Sequence, residues 1–339
     1  MKRLHITTLG VVAAILALNV PLPSPAADLA PAPISRIATQ PTNTLSVMTY
    51  NVEGLPFPAA FGRPGKLAQI GQRLGALRET GQQPHVVLLQ EAFIGQAKAI
   101  ARAAGYTYVA WGPKAGDMAN DPSLAGKSFA AQDSWLKGEG VGKWVDSGLV
   151  ILSDYPIVQT RRMAFPADMC AGYDCLASKG VLLTWIQVPG HSQPIAIADT
   201  HLNSRAATGV EIARADTAYM RQIATARDYI HANVAPGTDV IFGGDFNIGH
   251  DPQRIAAVAA DGGIVNGGVE ATQLAASRSD SAVNEGLAVV RKRAKDKQFF
   301  RAGAGSELSL QNIVVPVGFQ DNGTPLSDHT PYIADYTLG

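Results

Sequence analysis

The sequence predicts a single layered α/β domain, and three observations carry that expectation. Short apolar runs rich in β-branched residues recur along the chain, each bounded by turn residues. Amphipathic helical stretches separate several of them. No internal repeat and no linker interrupts the series after residue 44.

The runs are "LSVMTYNV" (45–52), "HVVLLQEA" (85–92), "DSGLVILS" (146–153), "GVLLTWIQV" (180–188), "PIAIADTHL" (194–202), "DVIFGGDF" (239–246) and "PYIADYTL" (331–338). Their length and composition predict strands buried on both faces. "KLAQIGQRLGALRET" (66–80) predicts a helix with Leu67, Ile70, Leu74 and Leu77 on one face. "GVEIARADTAYMRQIATARDYIHANV" (209–234) predicts a longer one, striped by Ile212, Tyr219, Ile223 and Ile230.

An apolar content of 46% with 17% charged residues over 339 residues excludes a disordered chain. Residues 1–26 predict a cleavable export signal. Lys2 and Arg3 form a basic start, Leu9 to Val20 an apolar stretch too short for a membrane span of about 20 residues, and small residues precede a cut near Ala26. Residues 27–44 predict a flexible Pro/Ala-rich lead-in to a catalytic domain at 45–339. The expected setting is secreted or periplasmic. Cys170 and Cys175 then predict a small disulfide loop, since two thiolates fall short of the four ligands of a zinc site. Without Lys2 and Arg3 the chain carries 26 basic and 28 acidic side chains. That excludes the global positive field of a tight nucleic-acid binder but not a local phosphate site.

Function enters at the strand ends. Asn51, Glu91, His201 with Asn203, and Asp245 with Asn247 close four of the runs, and Asp328-His329 precede the last. Each alone has a structural explanation as a turn former, helix cap or satisfied core histidine. Five together predict a site, because a charge ending a buried strand is costly unless paired or bound to metal.

These segments, in this order, resemble the endonuclease/exonuclease/phosphatase superfamily, whose best-known branch is the deoxyribonuclease-I-like enzymes. The matching residues are Asn51 in "TYNV", Glu91 in "LLQEAF", the "SGLVILSDYPI" strand, His201 in "THLN", the "GGDFN" pair and "SDH" at 327–329. The resemblance implies a four-layered sandwich of two packed mixed β-sheets flanked by helices, and divalent-metal-dependent cleavage of a phosphate ester. Glu91 with a supporting Asn51 suits Mg²⁺ (or Mn²⁺), with Asp328 nearer the metal. His329 becomes the base, and the family pattern places its carboxylate partner upstream, where "AKDKQFF" offers Asp296. Asp245 would orient the attacking water, while Asn247 and His201 stabilise charge on the phosphoryl oxygens.

"CAGYDCLASKGVLLTWI" and the helix after "THL" resemble secreted bacterial neutral sphingomyelinases. This resemblance favours a phospholipid substrate and peripheral membrane contact, with Asn203 and Lys179 binding substrate. Lys179 reads equally as a solvated turn lysine. "LPFPAAFG" (55–62) is only a weak stand-in for a bilayer-seeking hairpin. Tyr106, Tyr108, Trp111, Trp135 and Trp144 are explained more cheaply by core packing than by a choline cage. A secreted nuclease is the rival, with "RKRAKDKQFFR" (291–301) tracking a nucleic-acid backbone, or else forming a solvated helix face that runs into a strand. A non-catalytic binding protein comes last, since Glu91, His201, Asp245 and His329 are all present.

Overall fold

Alternation along each strand sorts the side chains into layers. In β1 (Thr44–Asn51), Leu45 and Val47 join one buried cluster while Met48 and Tyr50 join another. The same division runs through β2 (Val86–Gln90), where Val86 and Leu88 oppose Val87 and Leu89. The computed structural model describes residues 42–117, 127–278 and 285–339. The expected export signal and nearly all of the lead-in lie outside the described residues.

One sheet has the order β11-β14-β1-β2-β4-β3, the other β5-β6-β7-β8-β10-β9. Further strands of the first are β3 (Tyr108–Trp111), β4 (Val150–Ser153), β11 (Leu308–Val314) and β14 (Tyr332–Leu338), while β12 (Gln320–Asp321) and β13 (Thr324–Pro325) pair as a small separate hairpin. The second contains β5 (Ile157–Ala164), β6 (Gly180–Ile186), β7 (Ile195–His201), β8 (Val240–Asp245), β9 (Val269–Glu270) and β10 (Asp296–Arg301). Parallel pairs β1–β2 and β7–β8 sit among antiparallel ones, so both sheets are mixed. Between the sheets lie Val47, Leu88, Ile151, Leu182, Ile197, Ile241 and Tyr336. Outside the first sheet, helix α1 (Arg63–Glu79) packs Leu67, Ile70 and Leu74 onto Met48 and Leu89. Outside the second, α2 (Ile212–Asn233) packs Tyr219, Ile223 and Ile230 against Ala198 and Phe242. Ile212, expected on that stripe, is exposed at the helix start. The result is the expected four-layered sandwich.

Edge strands escaped the apolar-run criterion. β5, with the pattern "IVQTRRMA", pairs among the described residues with β6 alone and keeps most of its residues in solvent. The expected strands at 85–92 and 239–246 end earlier than their apolar runs and the one at 146–153 begins later, because the chain turns at the site. Glu91 and Asn247 take φ of 56° and 48°, and Gly148 takes 70°. A Cβ on Gly148 would stand 2.7 Å from the Phe93 ring and 3.1 Å from Glu91 Cα, so glycine lets this loop close over the Glu91 backbone.

The inner faces change character along their length. Leu45 and Val47 give way to Thr49 and Asn51 in β1, Val86 and Leu88 to Gln90 in β2, and Ile195 and Ile197 to Asp199 and His201 in β7. Stability is therefore concentrated at the apolar end. Leu88→Ala should cost about 2–5 kcal/mol in denaturant unfolding. Gly244→Ala should destabilise instead of giving the usual gain of about 0.4–1 kcal/mol, because at φ 134° its Cβ would lie 2.1 Å from the Thr200 carbonyl oxygen.

Candidate active site

Strand pairing assembles the cluster. Parallel pairing of β1 with β2 sets Asn51 beside Gln90, immediately before Glu91. In the other sheet Asp245 stands between His201 of β7 and Asp296 of β10. His329 arrives on the turn before β14, the antiparallel neighbour of β1. Asn51 then joins the sheets: its Nδ2 donates to Glu91 Oε1 at 2.9 Å and to Asp245 Oδ2 at 3.0 Å. Reactive atoms of Glu91, His201 and Asp245 all lie within 4.8 Å of one another, as do those of Asp245, Asp296 and His329.

His329 Nδ1 meets Asp296 Oδ2 at 2.7 Å, while Nε2 faces Asp245 Oδ2 at 3.6 Å. Burial alone would lower the pKa of His329, but Asp296 and Asp245 outweigh it and raise it to about 9. His201 is driven the other way, to about 3, by burial and then by Lys179, so its imidazole is neutral; Nε2 lies 3.6 Å from Asp245 Oδ2. Burial pushes Asp245 up, yet His329, His201 and Lys295 hold it well below the carboxylate range. Its Oδ1 also accepts the Asn247 N–H at 2.9 Å. Glu91 is raised to about 7 by burial, against the Asn51 hydrogen bond and with Asp245 adding repulsion. A carboxylate so placed, still 17% exposed at its side chain and steadied by a neutral amide, fits a hard, oxygen-preferring divalent cation.

The sequence-predicted residues do not all converge. Asn51, Glu91, His201, Asp245, Asp296 and His329 do, and Asn247 adjoins them, its Nδ2 donating to Leu202 O at 3.0 Å. Lys179 is neither solvated nor free. It is 4% exposed, 3.0 Å from Asp174 Oδ1 and donating to Leu202 O at 3.0 Å. Asn203 is fully buried, accepting the Ala171 N–H and donating to Ser204 O, so it braces the loop after His201. Asp328 is 58% exposed and pairs with Arg293 at 3.2 Å. Cys170 and Cys175 form a disulfide.

Two buried arginines were missed by sequence reasoning. Arg63 donates to the carbonyls of Val52 and Leu326, and its guanidinium meets Glu53, whose carboxylate accepts the Asp328 N–H at 3.1 Å. It thus fastens the turn carrying His329 to the end of β1. Arg254, in α3 (Pro252–Ala259), bonds Asp216 and the carbonyls of Asn203 and Asn247, tying together the loops after His201 and Asp245. Nothing in the sequence distinguishes either from a surface arginine.

Aromatic placement also differs from expectation. Tyr106 is buried and Tyr108 half-buried, but Trp111, Trp135 and Trp144 are 38%, 64% and 47% exposed, so core packing does not explain them. Phe57 and Phe61 are exposed too, with ring centroids 5.3 Å apart. In the basic run, Arg291 and Lys292 end helix α4 (Glu285–Arg293) in solvent, and the run then enters β10. Phe300 is buried against Tyr336 and Phe299 packs on Phe246, so neither ring is free to stack on a base.

A model described as the Endonuclease/Exonuclease/phosphatase family matches residues 48–329. A sphingomyelinase of Mycobacterium bovis is 25% identical over 311 residues, covering 88% of this chain and 55% of that protein; the chain thus spans about half the length of this relative. Sphingomyelinase C from Streptomyces griseocarneus superposes with a TM-score of 0.57 at 22% identity, covering 87% of this chain and 99% of that one. A beta toxin mutant from Staphylococcus aureus with bound magnesium ions gives 0.57 at 18%, covering 86% and 98%. D. rerio TDP2 complexed with a single-strand DNA product gives 0.56 at 18%, covering 87% and 100%. At these identities the three structures are likenesses of fold. With its matched span and its four-layered sandwich, the chain belongs to the endonuclease/exonuclease/phosphatase family.

Proposed function

We propose that the protein is a secreted or periplasmic phosphodiesterase that hydrolyses a phospholipid by in-line attack of water, with sphingomyelinase-type cleavage as the specific reaction. The observation that carries the hydrolytic reading is His329, held on Asp296 by one ring nitrogen and facing Asp245 with the other. Asp296 orients the ring so that Nε2 faces the attacking water; the deprotonated form, whose share grows as pH rises towards about 9, takes the proton. Asp245, kept anionic by its neighbours despite its burial, orients that water. Neutral His201 and the second N–H of the Asn247 amide supply hydrogen bonds to phosphoryl oxygens as charge develops there. Glu91, steadied by Asn51, would hold Mg²⁺ or Mn²⁺. When bound there, such a cation would supply charge neutralisation of the phosphodiester and polarisation of a phosphoryl oxygen.

Lipid is favoured over nucleic acid by where the exposed aromatics lie. Among the described residues the six most exposed are Phe57, Phe61, Trp111, Trp135, Trp144 and Tyr173. They occupy the β1–α1, β3–β4 and β5–β6 connections and the last residue of β3, which open at the end of the sheets where Asn51, Glu91 and His201 stand. Glu139, 1% exposed, holds this rim together by accepting the N–H groups of Ser134 and Gly172 and the Arg214 guanidinium. Trp and Tyr collect where one side of a side chain is apolar and the other wet, as at a lipid–water boundary. The export signal expected from the sequence and the disulfide support the extracytoplasmic reading.

The first test is phosphorylcholine release from sphingomyelin vesicles beside nicking of plasmid DNA, each with Mg²⁺ and with chelator. Metal-dependent lipid turnover with intact plasmid is expected; nicking without lipid turnover would overturn the lipid reading. His329→Ala should lower kcat by about 10²–10⁴-fold with the fold retained. Asp296→Asn should also slow turnover. Because Asp296 raises the pKa of His329, its loss should move the acid limb of the pH–rate profile to lower pH. Asn51→Ala should raise the Mg²⁺ half-saturation by about 10–100-fold. Replacing Trp135 and Trp144 by Ala should reduce vesicle turnover by about tenfold or more, leaving hydrolysis of a soluble aryl phosphodiester unchanged.

A further inference from the structure

Beneath the cluster lies a second polar layer that the hydrolytic roles do not use. Its centre is Asp199, fully buried on the inner face of β7, two residues before His201. Gln90, equally buried, ends β2 in the opposite sheet and immediately precedes Glu91. Gln90 Nε2 donates to Asp199 Oδ1 at 2.7 Å across the interface, and also to Leu88 O at 3.2 Å. Two atoms of the pair have no hydrogen-bond partner among the described residues: Asp199 Oδ2 and Gln90 Oε1. No cation is among the groups acting on Asp199, and burial lifts its pKa well above the carboxylate range. A neutral carboxylic acid has one O–H to donate, and a carboxamide has one C=O to accept it. The two atoms left over are the donor and the acceptor that a second hydrogen bond of an acid–amide pair requires.

We propose that Asp199 and Gln90 form an inter-sheet clasp that positions Glu91 against His201. The inference rests on the hydrolytic reading of the cluster above it. The clasp joins the ends of β2 and β7, which deliver Glu91 and His201 from opposite sheets. Gly244 leaves it room, since a Cβ there would lie 2.9 Å from Asp199 Oδ1. A fully satisfied polar pair in a dry interface fixes one registration of the two sheets, whereas apolar contacts alone tolerate sliding. The pair is thus a positioning device and does not itself touch substrate.

Three variants separate this from a merely structural role. Asp199→Asn keeps an acceptor for Gln90 Nε2 and a donor for Gln90 Oε1. Its Mg²⁺ affinity, measured by calorimetry, and its kcat should stay within about threefold of wild type. Asp199→Leu fills the space without the pair, and Gln90→Leu removes the other half. Both should weaken Mg²⁺ binding and lower kcat by about 10–100-fold while KM changes less, as misplacement of a reacting group does. Leu variants with native metal affinity and kcat would overturn the clasp, and so would an Asp199→Asn as defective as Asp199→Leu. If the Leu variants fail to fold, infrared difference spectra of wild type against Asp199→Asn decide. A carbonyl band of a protonated buried acid, lost in Asp199→Asn, is expected, and its absence from wild type would overturn the proposal. Metal affinity and the infrared band are read without turnover, so their failure is distinguishable from failure of the lipid substrate reading.

Discussion

A single amide nitrogen holds the two halves of the site together. Asn51 Nδ2 has two hydrogens and spends both on carboxylates, Glu91 in its own sheet and Asp245 in the other. Two carboxylates converging in a buried interface repel each other and lose their water, so the arrangement needs a shared donor between them. A lysine there would neutralise one of them and compete with a cation for Glu91. A neutral carboxamide satisfies both and leaves the charge available. The backbone of the same residue reaches further: Ser327 Oγ donates to Asn51 O at 2.6 Å and accepts the N–H of His329. Asn51 is therefore bonded, directly or through one hydroxyl, to Glu91, Asp245 and His329.

Such a site is only as rigid as the turns that present it. Arg63 and Arg254 are among the largest fully buried side chains described, and each spends its guanidinium chiefly on backbone carbonyls at strand ends. Burying an arginine costs desolvation, which is recovered only when its fork of donors is well used. Here the fork reaches carbonyls that have left their sheets and lost ladder partners. Glu91 and Asn247, held in left-handed backbone conformations, are the places where that support is needed, since uncommon geometry persists only when its surroundings over-determine it.

Much of this was legible in the sequence because buried strands announce themselves. β2, β6, β7 and β8 are buried throughout and stood out as apolar runs; β5 and β11, at sheet edges, did not. Asn51, Glu91, His201 and Asp245 were visible as polar residues ending such runs. Asp296 was not, because β10 reads "DKQFFR" and its inner face offers Asp296 and Gln298 before the single apolar Phe300; only the family resemblance placed it. Lys179 and Asn203 were legible as polar residues near the site, but their hydrogen-bond partners lie in other loops, and those partners make them braces. The arginine struts and the Gln90–Asp199 pair span up to 263 residues of sequence and follow no local spacing.

The alternation that makes a strand also explains why the stable and the reactive parts of this molecule do not compete. In "IAIADTH" every second residue faces the other sheet, so Ile195, Ile197, Asp199 and His201 descend a single face from oil to acid to imidazole. β1, β2 and β8 repeat the gradient in step, and β10 runs it in reverse because it is antiparallel to β8. Each level then has its own physics. Apolar contacts at one end supply cohesion. A satisfied polar layer in the middle fixes the registration of one sheet on the other. The chemically demanding groups sit on top, where some solvent reaches them and the tryptophan-bearing loops begin. Charges of this density in the middle of the interface would have no water and no partner; the same residues at its rim can be paired across the sheets and still meet a phosphate. The gradient along the strands is thus the constraint from which both the placement of the site and its exposure to solvent follow.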